Sequence, residues 1–196
     1  MTTDLPRSTS DDALGEGLDI QPDSDPLPRR KLGACSSAVE QARRTLGERL
    51  TIHPDACHDL KDLDSAPQAA AWGKTLGRGL VALGAYAEAV DNGFTGDFRQ
   101  WCKYSGHADA WPCTSKKLAM RESQTVLQNG RLRRSRVLPV DSEVDRSGFT
   151  LMQAHLKISE GGGDLAPRVY FVHDSRSHTV HVGYIGPHKN MRNTRS

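Results

Sequence analysis

Residues 168–185 read RVYFVHDSRSHTVHVGYI, from Arg168 to Ile185, and this stretch decides the fold class. Two alternating runs rich in β-branched and aromatic residues, Arg168 to His173 and His178 to Ile185, flank Asp174-Ser175-Arg176-Ser177, which predicts a hairpin. Pairing His173 with His178 sets Phe171 opposite Val180 and Val169 opposite Val182 on an apolar face. Tyr170 then lies opposite His181 on the other face, with Arg168 close to Gly183. A slip of one residue would invert this assignment. Upstream, Phe149 to Ile158 also alternates: Met152, Ala154, Leu156 and Ile158 point one way, and Gln153, His155 and Lys157 the other. Arg136 to Val140 reads as a short strand that Pro139 confines to an edge. Gly161-Gly162-Gly163 is a flexible connection. The expectation for 131–196 is therefore a small antiparallel sheet.

Before Gly130 the period is helical. Ser37 and Glu40 have capping-box spacing, with Val39, Ala42, Leu46 and Leu50 on one stripe. A short helix follows Pro54 and turns Ala56, Leu60 and Leu63 inward. The longest helix opens at Ser65 with Pro67 in its first turn, carries Trp72, Leu76, Leu80, Leu83, Ala87 and Val90 on one face, and stops at Gly93. Its Gly73, Gly77, Gly79 and Gly84 each weaken it by up to ~1 kcal/mol relative to Ala. The four-residue spacing of Gly73 and Gly77 predicts close approach of a neighbouring helix. Further helices are expected near 95–104, presenting Phe94, Phe98 and Trp101, and near 115–128. Residues 1–32 hold four of the ten prolines and no aromatic residue, which predicts a disordered acidic arm. The fold class is α+β: an arm over 1–32, a helical unit over 33–130, and a small antiparallel sheet over 131–196 packed on the helices.

The composition narrows the function classes. The chain has 196 residues, of which 36% are hydrophobic and 26% charged. No stretch approaches the roughly 18 apolar residues of a spanning helix, so no membrane partner is expected. There is no phosphate loop, dinucleotide fingerprint, nucleophile elbow or zinc-protease helix, and no cofactor is implied. Cys35, Cys57, Cys102 and Cys113 could form two disulfides. However, Met1-Thr2-Thr3-Asp4 opens no apolar signal region, so free thiols and a cytoplasmic location are expected. Cys102, His107 and Cys113 offer soft ligands without the tight paired spacing of structural zinc sites, and no metal is assigned.

Net charge is strongly uneven. Residues 116–196 carry fourteen basic and seven acidic residues and five of the eight histidines, whereas 1–32 and 33–115 each carry a small acidic surplus. A basic segment of this kind suits a phosphate-bearing partner. Strand 149–158, laid beside the hairpin, brings Arg168, Tyr170, His181, His155 and Lys157 onto one surface. Arg168 and Lys157 would bind phosphate there, joined by His188 and Lys189 beyond the last strand. His181 or His155 would serve as general acid or base, and Tyr170 would stack on a base or donate a proton. RNA cleavage without metal asks for no more, because the 2′-hydroxyl supplies the nucleophile. The same alternation is what any antiparallel sheet with one wet face shows. Glu122 could pair with Asp174 in an acidic nuclease site, but the spacing supplies no further acidic or lysine positions.

Two resemblances lie toward the C-terminal end. Val182-Gly183-Tyr184-Ile185-Gly186-Pro187-His188 followed by Asn193-Thr194-Arg195, with Leu118 to Ser123 and Gly148 to Lys157, is similar to uncharacterised proteins of Streptomyces-type actinobacteria over roughly residues 95–196. That resemblance implies an origin and no mechanism. The hairpin Arg168 to Gly186, with His188-Lys189 after it, resembles the final strands of RelE/ParE-type toxins, whose sheets carry basic, Tyr or His residues that cleave ribosome-bound mRNA or engage gyrase. It implies roles for Arg168, His181 and His188. The longer chain and the long helical region before the sheet depart from that family. The expected function is contact with RNA or DNA through the basic sheet, with metal-independent ribonuclease or toxin-like activity in view. The alternative is a non-enzymatic module whose helical unit docks a partner protein through the Trp72–Val90 helix.

Overall fold

A computed structural model describes residues 33–160 and 163–191. The acidic arm, Gly161 and Gly162 of the glycine run, and Asn193-Thr194-Arg195 lie outside them. The first helix, α1 (Ala34–Leu46), has Gly33 at its N-cap, which offers no capping side chain. The cap comes instead from Asp64, whose carboxylate accepts hydrogen bonds from the Cys35 amide at 2.7 Å and from the Ser36 hydroxyl. A Cβ on Gly33 would strike Asp64. Asp64 ends α2 (Leu60–Asp64), which follows a 3-10 turn at Pro54–Cys57.

The longest helix, α3 (Ala69–Asp91), buries Leu76, Leu80, Leu83 and Ala87 completely. The expected close approach at its glycines is present, and the neighbour is α1. A Cβ built on Gly73 would stand 2.6 Å from the Ala34 carbonyl, whereas one on Gly77 would stand 3.8 Å from the Ala38 Cβ. Helix α4 (Phe98–Tyr104) opens with a reciprocal cap: the Asp97 carboxylate accepts from the Gln100 amide, and Gln100 Oε1 accepts from the Asp97 amide, both at 2.8 Å. The helix expected over 115–128 shrinks to α5 (Gln124–Gln128), followed at once by α6 (Gly130–Arg134).

The strands are β1 (Leu50–Ile52), β2 (Leu118–Ala119), β3 (Val137–Pro139), β4 (Phe149–Leu151), β5 (Ala154–Lys157), β6 (Pro167–Asp174) and β7 (Thr179–Pro187). Five of them form one sheet in the order β1-β7-β6-β5-β2, and β3 and β4 form a separate hairpin. The main sheet is mixed rather than purely antiparallel, because β1 runs parallel to β7. Leu50 is thus a strand residue and does not extend the α1 stripe. Residues 32–196 cluster as one unit, with strands from both halves of the chain in a single sheet.

Two features of the sheet differ from the sequence expectation. The hairpin pairs His173 with Val180 and Phe171 with Val182, so His178 belongs to the turn, where it takes a left-handed φ of 54°. Beyond Phe171 the register shifts again, and Tyr170 lies opposite Tyr184. Gly183 is the extra residue of this bulge. A Cβ there would meet the Pro139 carbonyl at 2.8 Å and Leu138 Cβ at 2.9 Å, so β3 crosses directly over it.

The expected single strand 149–158 is also broken, between β4 and β5, where the Met152 amide donates to the Arg136 carbonyl at 2.8 Å. The break turns Met152 to the opposite side from Ala154, Leu156 and Ile158. Leu156, Ile158, Val169, Phe171, Val180, Val182 and Ile185 pack on the helices in the main core. Met152 joins Leu138, Val140, Tyr170, Tyr184 and Met191 in a second cluster on the other face. That face is therefore covered by protein rather than wet. Among the described residues no helix is long and apolar enough to cross a membrane.

The two α3 glycines make opposite predictions for one chemical change. Gly73→Ala drives a methyl into the Ala34 carbonyl and should cost about 1–3 kcal/mol, as overpacking does. Gly77→Ala has room and should stabilise by up to ~1 kcal/mol through helix propensity. Urea unfolding of the two variants checks this, and equal effects at both sites would contradict the packing described.

Candidate anion-binding site

The second sheet face gathers an unusual set of polar side chains around one carboxylate. Glu122 sits just before Ser123, whose hydroxyl caps α5 by accepting from the Val126 amide at 3.3 Å. Arg136 follows α6 and leads into β3 with only 2% of its surface exposed. Glu122 Oε1 accepts from Arg136 Nε at 2.8 Å and from the Tyr170 hydroxyl at 2.9 Å, and His155 Nδ1 stands 3.9 Å away. Arg136 also donates to Ser135 Oγ at 2.6 Å and places its guanidinium 5.8 Å from the Tyr170 ring centroid. The His155 ring stacks on Tyr170 at 4.5 Å and 25°, and His155 Nδ1 lies 3.0 Å from the Gln153 carbonyl.

The pairing of β5 with β6 places His155 opposite Tyr170 and Lys157 opposite Arg168, so four of the residues expected to converge do so. His188, in the 3-10 turn His188–Asn190, senses the same group: burial and the charges of Arg168, Arg136 and Lys157 lower its pKa, with Glu122 opposing. His181 lies elsewhere. It pairs with Val172 and with Thr51, and its Nδ1 stands 4.0 Å from Asp141. It lines a separate groove of about 460 Å³ with Thr51, Asp141, Asp174 and Arg176. Lys189 is also apart, held by Asp62 at 3.1 Å. The three residues proposed for catalysis are therefore divided between two places.

Each ionisable group in the cluster responds to burial and to its neighbours. Burial alone would raise the Glu122 carboxyl, but the Arg136 hydrogen bond and charge, aided by His155 and Tyr170, hold it below its ordinary value. Burial drives His155 down to about 4, so the ring is neutral at pH 7. The Tyr170 hydroxyl is pushed up by burial and stays protonated as a donor to Glu122. Lys157 is lowered by burial and by Arg168. Arg168 is lowered by burial as well, yet a guanidinium stays charged at neutral pH.

Glu122 is committed to Arg136, which leaves Arg168 and Lys157 as adjacent like charges with no carboxylate partner among the described residues. Arg168 is 7% exposed and, among the described residues, donates to the carbonyls of Pro167 at 3.0 Å and Ser159 at 3.5 Å. Lys157 Nζ donates to the Ser115 carbonyl at 2.9 Å. Like charges placed directly opposite on neighbouring strands are destabilising, and a nearly buried charge without a counter-charge is costly. An anion seated between them would relieve both. Sequence spacing gave no sign of the Glu122–Arg136 pair, because the two residues are brought together only by the α5–α6 turn. Among the described residues no group of three or more His, Cys, Asp or Glu side chains is placed to hold a metal ion.

The cluster makes the fold acid-sensitive. An unfolded histidine binds a proton near its ordinary value of 6.5, whereas folded His155 binds one only near 4. Its contribution is therefore complete above about pH 6.5 and is lost as pH falls toward 4. Glu122, held down, contributes in the same direction and is lost as pH falls through its lowered value. Urea midpoints measured from pH 7 to pH 4 should fall, and His155→Gln should make the fall shallower. A residual slope is expected, because His173, His181 and His188 are also lowered. No protein-family model, no curated protein and no solved structure matches this chain.

Proposed function

We propose that this is a cytoplasmic protein that binds nucleic acid through the phosphate backbone, with Arg168 and Lys157 as the anchoring cations. The observation that carries this reading is the like-charge pair itself: two adjacent cations, one nearly buried, whose hydrogen-bond partners among the described residues are backbone carbonyls. A phosphate fits both, since a guanidinium offers a fork of donors and an ammonium a point charge. The segment that joins Glu122 to Arg136 adds cations, because Arg131, Arg133 and Arg134 are exposed, as is Arg121 just before it. Repeated phosphate contacts need such a track more than they need a closed pocket.

Binding is better supported than cleavage. His155 and Tyr170 are buried against each other, with Tyr170 donating to Glu122 and His155 Nδ1 against the Gln153 carbonyl, while His181 faces a different groove. The alternative of a partner protein docked on the glycine face of α3 loses its main support, because α1 already occupies Gly73.

Fluorescence anisotropy of an end-labelled single-stranded RNA with the full chain, in EDTA, tests the reading. Affinity should fall at least tenfold between about 50 and 200 mM salt if several phosphates are contacted. Lys157→Ala and Arg168→Ala should each weaken binding and flatten the salt slope. Absence of binding at low salt, or binding unchanged in both variants, would overturn it. A signal that decays with time and is preserved by Tyr170→Phe would add ribonuclease activity to the binding.

A further inference from the structure

Two of the four cysteines lie side by side at a place the anion site does not use. Cys102 is on α4, and Cys113 lies within the irregular stretch 105–117 that returns to this helix before β2. The Cys113 thiol points at the carbonyls of Trp111, at 3.5 Å, and of Arg99, at 3.6 Å, one turn before Cys102. Cys102 follows Arg99 by three residues on the same helix, so the two thiols sit at one turn of α4, and Cys113 is among the groups that raise the Cys102 thiol.

The surrounding contacts fix this approach without using either sulfur. Arg99 donates to the Cys113 carbonyl at 2.9 Å and to the Leu118 carbonyl at 3.1 Å. The indole of Trp111, 4% exposed, donates to the Lys117 carbonyl at 3.0 Å. Both thiols of the pair are half-buried and within reach of a small reagent, whereas Cys35 is sealed in the core and Cys57 stands alone against Arg43.

We propose that Cys102 and Cys113 are a redox-active dithiol, converted by a low-molecular-weight disulfide of the glutathione type into an intramolecular disulfide. Cys113 gives up its proton and attacks one sulfur of the reagent. The reagent's S–S bond breaks, and its first thiolate leaves and is protonated. Cys102 then gives up its proton and attacks the Cys113 sulfur, an S–S bond forms within the chain, and the second reagent thiolate leaves and is protonated. The chain loses two electrons and two protons, and the reagent gains both. Burial pushes the Cys102 thiol up to about 12, which leaves the first attack to Cys113, and Cys102 attacks only once the mixed disulfide is held beside it. The product closes the irregular stretch onto α4 and restricts the unfolded chain by that loop.

The full chain incubated with oxidised glutathione at neutral pH in EDTA, then unfolded, alkylated with iodoacetamide and mapped by mass spectrometry, tests this. Two of the four thiols should be protected, linked as Cys102 to Cys113, and released by dithiothreitol. The Cys35→Ser/Cys57→Ser double variant should form the same link. Cys102→Ser should stop at a glutathione adduct on Cys113, and Cys113→Ser should carry no adduct on Cys102. Alkylation of all four thiols, a link through another cysteine, or a link only between two copies would overturn the proposal.

Discussion

The carboxylate of Glu122 is the point through which the second face of the sheet is organised. It takes one hydrogen bond from Arg136, at the end of α6, and one from Tyr170, in the middle of the sheet. That single group thereby fixes the α5–α6 turn and the start of the β3–β4 hairpin against β6. Removing the acid would break a buried ion pair whose guanidinium is 2% exposed, a change that typically costs 3–5 kcal/mol. The bulge at Gly183 is the matching constraint on β7, since it lets the backbone of β3 cross where any side chain would block it.

The electrostatic logic of the site follows from how that acid is spent. A buried carboxylate shared among several cations would neutralise the cluster and leave a purely structural network. Here it is engaged by Arg136 and Tyr170, and the Lys157–Arg168 pair lies two residues further along each strand with no ion pair of its own among the described residues. The neutral His155 ring beside them adds no further positive charge at pH 7. The register of β5 against β6 is what sets the two cations side by side.

Much of the architecture was legible in the sequence because periodicity reports burial. The alternation of β5 and β6 placed His155, Tyr170, Lys157 and Arg168 on one surface, though not which faces which, and the spacing of Gly73 and Gly77 gave a helix contact. The illegible parts depend on partners distant in the chain. Three residues at Leu50–Ile52 show no period, so nothing marked them as a strand until β7 lay beside them. The turn shifted the hairpin by two residues, with Asp174 paired to Thr179, which separated His181 from Tyr170, and the bulge at Gly183 then set Tyr170 opposite Tyr184. Glu122 and Arg136 carry no local signal, because neither residue's neighbours reveal that a turn will join them. The capping of α1 by Asp64 is similar: Ser37 and Glu40 offered a local cap, and a carboxylate from the next helix supplied it instead.

The parallel pairing of β1 with β7 has a consequence for how the chain reaches this state. Leu50 and Val180 are adjacent in the sheet and more than a hundred residues apart in sequence. Closing so large a loop costs conformational entropy before any contact repays it, and topologies of this kind fold slowly. The helices α1 to α4 are made earlier during synthesis, yet the apolar face they bury against is completed only when β7 arrives. A growing chain therefore holds Leu76, Leu80 and Leu83 without their final cover for most of its elongation. That interval, rather than the finished fold, is where this protein is most exposed to aggregation and to capture by chaperones.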